Sequence, residues 1–205
     1  VINDGTNASY PYLRDNTQQP APGLATAANN PITNLNSGNE YTSLQAAIDT
    51  ADTGDTIEIS QDLTLNSGVN VTESVTINGS NAGVNVTLNG SDGGVGDGDE
   101  TIEVNVGATI RDLTVKRVGG SRSAQSDTAH AILVRNDTGT DISDIDVRNV
   151  DVIGQNFSHG NSTGIEILDG NSTNTANVSN VAITQSNVSG FATGMSIAAP
   201  YGGDI

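Results

Sequence analysis

The chain has 205 residues, of which 24 are acidic and 7 are basic, and its net charge is −17. This balance excludes nucleic acid as a partner, because phosphate binding needs cationic side chains, and the sequence has no apolar run long enough for direct membrane insertion. Aromatic residues make up only 3% and Trp is absent, so small β-branched side chains must form the core.

Residues 1–40 differ in composition from the rest of the chain. Four of the five prolines lie in this segment, which has no sustained apolar periodicity. Proline lacks a backbone donor and favours extended backbone. We therefore expect an extended N-terminal arm over 1–40 and a single domain over 41–205.

The stretch YTSLQAAIDTADTGDTIEIS, residues 41–60, predicts one short helix at about 42–52. Thr42 is the expected N-cap and Gln45 completes a capping box. The apolar positions fall on one helical stripe, formed by Leu44, Ala47, Ile48 and Ala51.

Strand patterns follow the helix. Apolar and polar residues alternate between Gly, Asn and Asp punctuation in DTIEIS 55–60, DLTL 62–65, ESVTING 73–79 and VNVTLNG 84–90. Short strands with such punctuation predict an all-β fold.

A long-period repeat begins near residue 100. Its first marker series is Ile102, Ile132, Ile165 and Met195, spaced by 30, 33 and 30 residues. A second series aligns Leu113 with Ile145 and Val181, and Val115 with Val147 and Ile183. Repeats of this length indicate a solenoid or a propeller. Short strands, few aromatics and only three to four repeats favour a right-handed parallel β-helix with these residues stacked inside.

The helix has a role in such a solenoid. An open end exposes unpaired backbone and apolar side chains, which templates aggregation unless covered, so we expect the helix to cap the first turn. The segment YGGDI 201–205 resembles TGTDI 138–142, which begins a strand. We therefore expect either that the natural chain continues past Ile205 or that another chain covers this second end, the N-terminal arm of a neighbouring copy being the candidate. The residues expected to take part in assembly are Val1, Ile2, Tyr201 and Ile205.

The helix with S-L-Q-x-A-I, followed by G-D-x-I-x-I and a strand ending in N-G, resembles the entry of the pectate lyase-like superfamily of right-handed parallel β-helices. The resemblance covers about residues 41–200. It implies the fold, but not a single activity, because the fold serves lyases, hydrolases, fibres and non-catalytic surface proteins.

Eleven N-x-S/T sequons occur, about twice the number expected by chance. They begin at Asn7, Asn70, Asn78, Asn85, Asn89, Asn136, Asn156, Asn161, Asn171, Asn177 and Asn187. This excess predicts an extracellular, cell-surface glycoprotein whose signal peptide has been removed, although Asn, Ser and Thr also meet by chance in turns. Dense carboxylates with few cations resemble the proteins of halophilic archaea, a general acidic secreted protein being the alternative.

The acidic loop SDGGVGDGDE, residues 91–100, is a candidate calcium site. Its ligands would be Asp97, Asp99 and Glu100, because hard oxygen donors on a glycine-rich loop suit Ca²⁺. A solvated acidic loop is the alternative.

Catalytic residues are not predicted. A lyase would need a basic side chain beside bound cations, and Lys116, Arg111 and Arg117 are the candidates. We expect Arg111, Arg135 and Arg148 not to form a row. His159 lacks the motif a hydrolase would place near it, and His130 is interpreted as a turn residue.

The sequence thus predicts a non-enzymatic structural protein that assembles with copies of itself, as a filament subunit joined head-to-tail through its N-terminal arm by strand complementation. Surface polysaccharide is the other partner considered. The alternative is a secreted polysaccharide lyase, hydrolase or carbohydrate-binding module of the same fold. Aromatic stacking platforms for sugar are scarce, with four Tyr and two Phe in the chain.

Overall fold

A computed structural model describes residues 30–81, 83–89, 100–119, 129–136, 139–157, 162–168 and 177–198. The chain divides into two units, Val1–Asn30 and Pro31–Ile205, and every helix and strand described here belongs to the second unit.

The described residues form one helix, α1 (Leu44–Asp49), and fifteen strands. The strands are β1 (Ile32–Asn34), β2 (Glu40–Tyr41), β3 (Thr56–Ile59), β4 (Leu63–Leu65), β5 (Val69–Val71), β6 (Thr76–Gly79), β7 (Asn85–Asn89), β8 (Glu100–Val104), β9 (Thr109–Val118), β10 (Ala129–Arg135), β11 (Ile142–Gln155), β12 (Ser162–Leu168), β13 (Val178–Thr184), β14 (Asn187–Ser189) and β15 (Thr193–Ala198).

These strands form two sheets. One has the order β13-β11-β9-β6-β3-β1-β2, with β14 on β11 and with β7 joining β4 to β9, and the other has the order β15-β12-β10-β8-β5. All pairings are parallel except those of β1 with β2 and β3. The predicted all-β class is therefore confirmed, with mainly parallel sheets.

The predicted apolar stripe of the helix is buried, with Leu44, Ala47 and Ile48 exposed by 2% or less. The N-cap, however, is Ser43 and not Thr42, because the Ser43 hydroxyl accepts from the Ala46 backbone N–H. α1 contacts β1, β2 and β5, so it covers the first strands of both sheets.

Register-aligned residues of neighbouring strands form columns, and the first predicted column is confirmed. Ile102 aligns with Ile132, Ile132 with Ile165, and Ile165 with Met195. The apolar core of this sheet is built from such columns, since Ile102 and Ile132 are fully buried and Ile165 is 1% exposed.

The second predicted series is right between β11 and β13 but wrong between β9 and β11. Ile145 aligns with Val181 as expected, whereas Leu113 aligns with Val150, five residues beyond the predicted Ile145. The cause lies in two similar corners, at which Asp112 and Asp144 both have positive φ. The true counterpart of Asp112 is a second left-handed residue in β11, Asn149, whose amide donates to the Asp112 carboxylate at 2.7 Å.

Residues 31–40 were expected in the arm, yet they contain β1 and begin β2. β1 pairs antiparallel with β3, and the Ser60 backbone N–H donates to the Pro31 carbonyl at 2.8 Å. A proline carbonyl can accept even though the residue has no N–H, so Pro31 is compatible with this edge. Within the described ranges no helix is long and apolar enough to cross a membrane.

Candidate functional site

A buried group of charged side chains, here called the His130 cluster, lies on three neighbouring strands of the five-stranded sheet. It comprises Glu100 and Glu103 on β8, His130 and Arg135 on β10, and Glu166 on β12. Glu100, Glu103 and His130 are each only 6–7% exposed. Charged groups are rarely buried to this extent unless they are paired.

The pairs cross from strand to strand. His130 Nδ1 lies 3.4 Å from Glu100 Oε1, and His130 Nε2 contacts Glu166 Oε2. Arg135 donates to Glu103 Oε1 at 2.9 Å. His130 thus forms ion pairs with carboxylates on the strands at both sides of β10. The interpretation of His130 as a turn residue is wrong, since it lies in β10.

These contacts determine the charge states. Burial lowers the pKa of His130, but the Glu100 and Glu166 carboxylates more than offset it and raise the pKa to about 9. Burial raises the pKa of Glu100, yet its contact with His130 leaves that pKa below the ordinary value. The contact with His130 also lowers the pKa of Glu166. Near neutral pH His130 is cationic and both carboxylates are anionic, which suits a clamp between strands better than proton transfer.

The larger sheet brings two arginines together that the sequence did not predict to form a row. Arg111 on β9 aligns with Arg148 on β11. Arg111 Nη1 lies 3.7 Å from Asp112 Oδ2, and Arg148 Nε lies 3.6 Å from Asp146 Oδ2. Adjacent like charges are unfavourable in a sheet, and these aspartates offset them.

The other cationic candidates lie elsewhere. Arg135 belongs to the His130 cluster, as expected from its separate strand. Arg117 is 2% exposed and donates to the Val118 carbonyl at 2.9 Å, so it is not available to a substrate. Lys116 aligns with Ile153 rather than with another cation, and His159 lies outside the described residues.

Of the three predicted calcium ligands, one lies among the residues that the structure describes. Asp97 and Asp99 lie outside the described residues, and Glu100 is the first residue of β8, with its carboxylate beside His130. In the part of the chain that is described, no group of three His, Cys, Asp or Glu side chains is placed to hold a metal ion. The predicted site therefore stays a prediction.

The sequons differ in exposure. Asn70, Asn89, Asn156 and Asn187 are exposed, Asn78, Asn85 and Asn177 are half-buried, and Asn7, Asn161 and Asn171 lie outside the described residues. Asn136 is fully buried, and its amide donates to the Thr140 carbonyl at 2.8 Å. The folded chain has no room for a glycan at Asn136, so this sequon is excluded as a glycosylation site and the other ten are retained.

The C-terminal edge, formed by β13, β14 and β15, is where the apolar columns reach solvent. In one column exposure is at most 3% up to Ile167 and then rises to 59% at Ile197. In the next, it rises from 1% at Ile165 to 51% at Met195. Among the described strands, β15 pairs with β12 alone, so it is an edge strand with an apolar face. The predicted assembly residues Val1, Ile2, Tyr201 and Ile205 lie outside the described residues.

The N-terminal edge, formed by α1, β1, β2 and β5, is covered instead. The Gln45 side chain accepts from the Asn70 backbone N–H at 2.7 Å and donates to the Asn70 carbonyl at 2.9 Å. These are the two bonds a neighbouring strand would make to the middle residue of β5. Gln45 thus closes this strand edge, a role the sequence did not reveal because it was assigned to a capping box.

No family model, no curated protein and no solved structure matches the chain. Function is therefore inferred from the chain's own geometry.

Proposed function

We propose that the two sheets are walls of one right-handed parallel β-helix. The support is the parallel register of successive strands and the columns of small apolar side chains that run across them. The resemblance of residues 41–79 to the entry of pectate lyase-like solenoids favours the same fold.

We further propose that the protein is a non-enzymatic extracellular structural glycoprotein that assembles with copies of itself at a cell surface. Each copy would be a filament subunit, joined head-to-tail to the next through its N-terminal arm by strand complementation. The observation that carries this proposal is the change in exposure from 3% at Ile167 to 59% at Ile197 along one core column. Exposed apolar side chains beside an edge strand favour strand addition by a partner.

The difference between the edges favours a filament over a closed dimer. Gln45 and α1 cover the N-terminal edge, whereas β15 has one strand partner among the described residues. A contact between two unlike surfaces is heterologous, and when its rotation does not close it produces an open filament.

Surface chemistry supports the proposed location. Four sequons, at Asn70, Asn89, Asn156 and Asn187, are exposed and are the favoured glycan sites. The net charge of −17 suits a halophilic archaeon, in which molar salt screens carboxylate repulsion to within about 3 Å. Calcium at Asp97, Asp99 and Glu100 and contact with surface polysaccharide belong to the same proposal.

The decisive experiment removes the arm without disturbing β1. The chain lacking residues 1–29 should remain folded by circular dichroism but should form no filaments in electron micrographs, whereas the full chain should polymerise. A truncated chain that still forms filaments would overturn head-to-tail assembly through the arm.

A pair of point variants tests whether the C-terminal edge is the surface that receives the neighbour's arm. Ile197→Asp places a charge at the exposed end of a core column and should abolish polymerisation. Thr184→Asp is the matched control, because Thr184 is an exposed residue of the same edge that aligns with Arg148, and it should polymerise normally. Equal behaviour of the two variants would contradict the role of the apolar face.

One observation favours the alternative of a polysaccharide-active protein, namely the alignment of Arg111 with Arg148 beside aspartates. Guanidinium groups bind carboxylates well, so uronate polymers are the ligands to test. Binding or cleavage of such a polymer that is lost in Arg111→Gln and Arg148→Gln would support this alternative.

A further inference from the structure

The C-terminal edge specifies the strand that could cover it. Met195 and Ile197 are two residues apart on β15, and both end buried columns. Since alternate residues of a strand share one face, a covering strand needs two large apolar side chains at positions i and i+2. In the column that ends at Ile197, the Val71 carbonyl accepts from the Asn105 N–H just after β8, so Met195 and Ile197 direct their backbone groups away from β12. An antiparallel strand would meet them with donors and acceptors on the same residues that carry the two apolar side chains.

The folded body of a second copy does not supply such a strand at its N-terminal edge. The N–H and carbonyl of Asn70, at the centre of β5, are already bonded to Gln45. Leu44 and Ile48 of α1, which packs against β5, are buried in their own core. Direct stacking of β15 on β5 of another copy would require α1 to leave.

The arm contains a segment with the required pattern, Tyr10-Pro11-Tyr12. Its two tyrosines stand at i and i+2, and buried aromatic side chains cover about 150–250 Å² each. In an antiparallel strand, Pro11 would direct its missing donor away from β15, where no ladder bond is needed, so proline is tolerated there. Val1 and Ile2 are adjacent and would face opposite sides of a strand.

We propose that Tyr10–Tyr12 of one copy adds as an antiparallel strand to β15 of a neighbour, with Tyr12 opposite Met195 and Tyr10 opposite Ile197. This inference rests on the proposed head-to-tail assembly. The seventeen residues between Tyr12 and Asn30 span at most about 60 Å when extended, many times the spacing of about 4.8 Å between strands, so the reach to a neighbour is sufficient. Pro11 leaves the added strand poorly able to accept another, which limits addition to one strand per edge.

Because the chain has no cysteine, engineered thiols can test the contact directly. Tyr12→Cys and Met195→Cys, made in separate full chains and mixed under oxidising conditions, should form a disulfide-linked heterodimer, since opposed residues of adjacent strands lie within disulfide reach. Tyr10→Cys should likewise link to Ile197→Cys, whereas Thr184→Cys, on β13, should link to neither arm variant. Absence of both links would overturn the proposal. Closure of the double variant Tyr12→Cys, Met195→Cys within single chains, without heterodimers in the mixing experiment, would also overturn it.

A second measurement separates this inference from the proposed function. Tyr10→Ser with Tyr12→Ser should raise the concentration needed for polymerisation by at least about tenfold, as expected for central interface aromatics. Leu24→Ser is the matched control in the same arm and should have little effect. Normal filaments from the tyrosine variant, together with none from the chain lacking residues 1–29, would refute the tyrosine segment and leave the proposed function standing. Filaments from both would refute the proposed function as well.

Discussion

The two edges of the sheets are built from similar strands but meet solvent differently. At the N-terminal edge, Val71 begins a core column fully buried, and α1 and Gln45 cover β5. At the C-terminal edge, Ile197 ends the same column 59% exposed, on a strand paired with β12 alone among those described. The N-terminal edge is covered by side chains of the same chain, whereas the C-terminal edge has an exposed apolar face suited to a partner.

The largest expected loss of stability comes from a substitution inside α1, the helix that covers the N-terminal edge. Ile48→Ala removes buried methyl groups from α1 and should lower the free energy of unfolding by about 3 kcal/mol. Ile197→Ala should lower it by less than about 1 kcal/mol in the dilute, unassembled protein, because most of that side chain is already in water. Urea unfolding monitored by circular dichroism gives both values. Similar losses would show that the two edges are equally covered.

The next effect concerns the His130 cluster, which ties β8 and β10 to β12, the strand beneath the C-terminal edge. The folded pKa of about 9 for His130 lies above the ordinary value of 6.5, so its stabilisation is fully present below about pH 6.5 and is lost as pH rises towards 9. This shift corresponds to about 3 kcal/mol. Urea unfolding at several pH values should show the decline.

His130→Gln should flatten that alkaline decline and lower stability at neutral pH, because Glu100 and Glu166 would both lose the cation that they contact. The matched control is His159→Gln, which changes the only other histidine of the chain and should keep the decline. An unchanged pH profile in His130→Gln would contradict the charge assignment.

The smallest expected loss of stability comes from removing the Gln45 side chain, which covers β5 at the N-terminal edge. Gln45→Ala removes two hydrogen bonds to Asn70 and should cost about 1 kcal/mol, while exposing the β5 backbone to strand addition. Light scattering should then reveal association that does not require residues 1–29. Gln45→Glu keeps the acceptor but loses the donor, so an intermediate result is expected. A Gln45→Ala chain lacking residues 1–29 that remains monomeric at all concentrations would show that Gln45 does not protect this edge.

The sequence was sufficient where local patterns determine the structure. The apolar stripe of α1 and the marker series from Ile102 to Met195 follow from residue periodicity alone. The alignment of Leu113 with Ile145 failed because β11 has two left-handed residues with similar neighbours, Asp144 and Asn149, whereas β9 has one, Asp112. Only the strand pairing shows which of the two matches Asp112.

The His130 cluster was missed because its members meet through strand stacking and not through a local motif. The signal was nevertheless present, since Glu100 and His130 are 30 residues apart, the same spacing as Ile102 and Ile132. Applying the apolar repeat to polar positions would have paired them. The exposure of Ile197 could not be read from its sequence, which resembles that of buried members of its column.

The most direct test of an open C-terminal edge closed by a neighbour is hydrogen–deuterium exchange on the full chain, assembled and after dilution to the dissociated state. The β15 amides that do not bond to β12 should be protected in the assembly and should exchange rapidly after dissociation, because only the neighbour's strand bonds to them. Amides of β5 should be protected in both states, since Gln45 and α1 belong to the same chain. Equal protection of β15 in the two states would contradict the account.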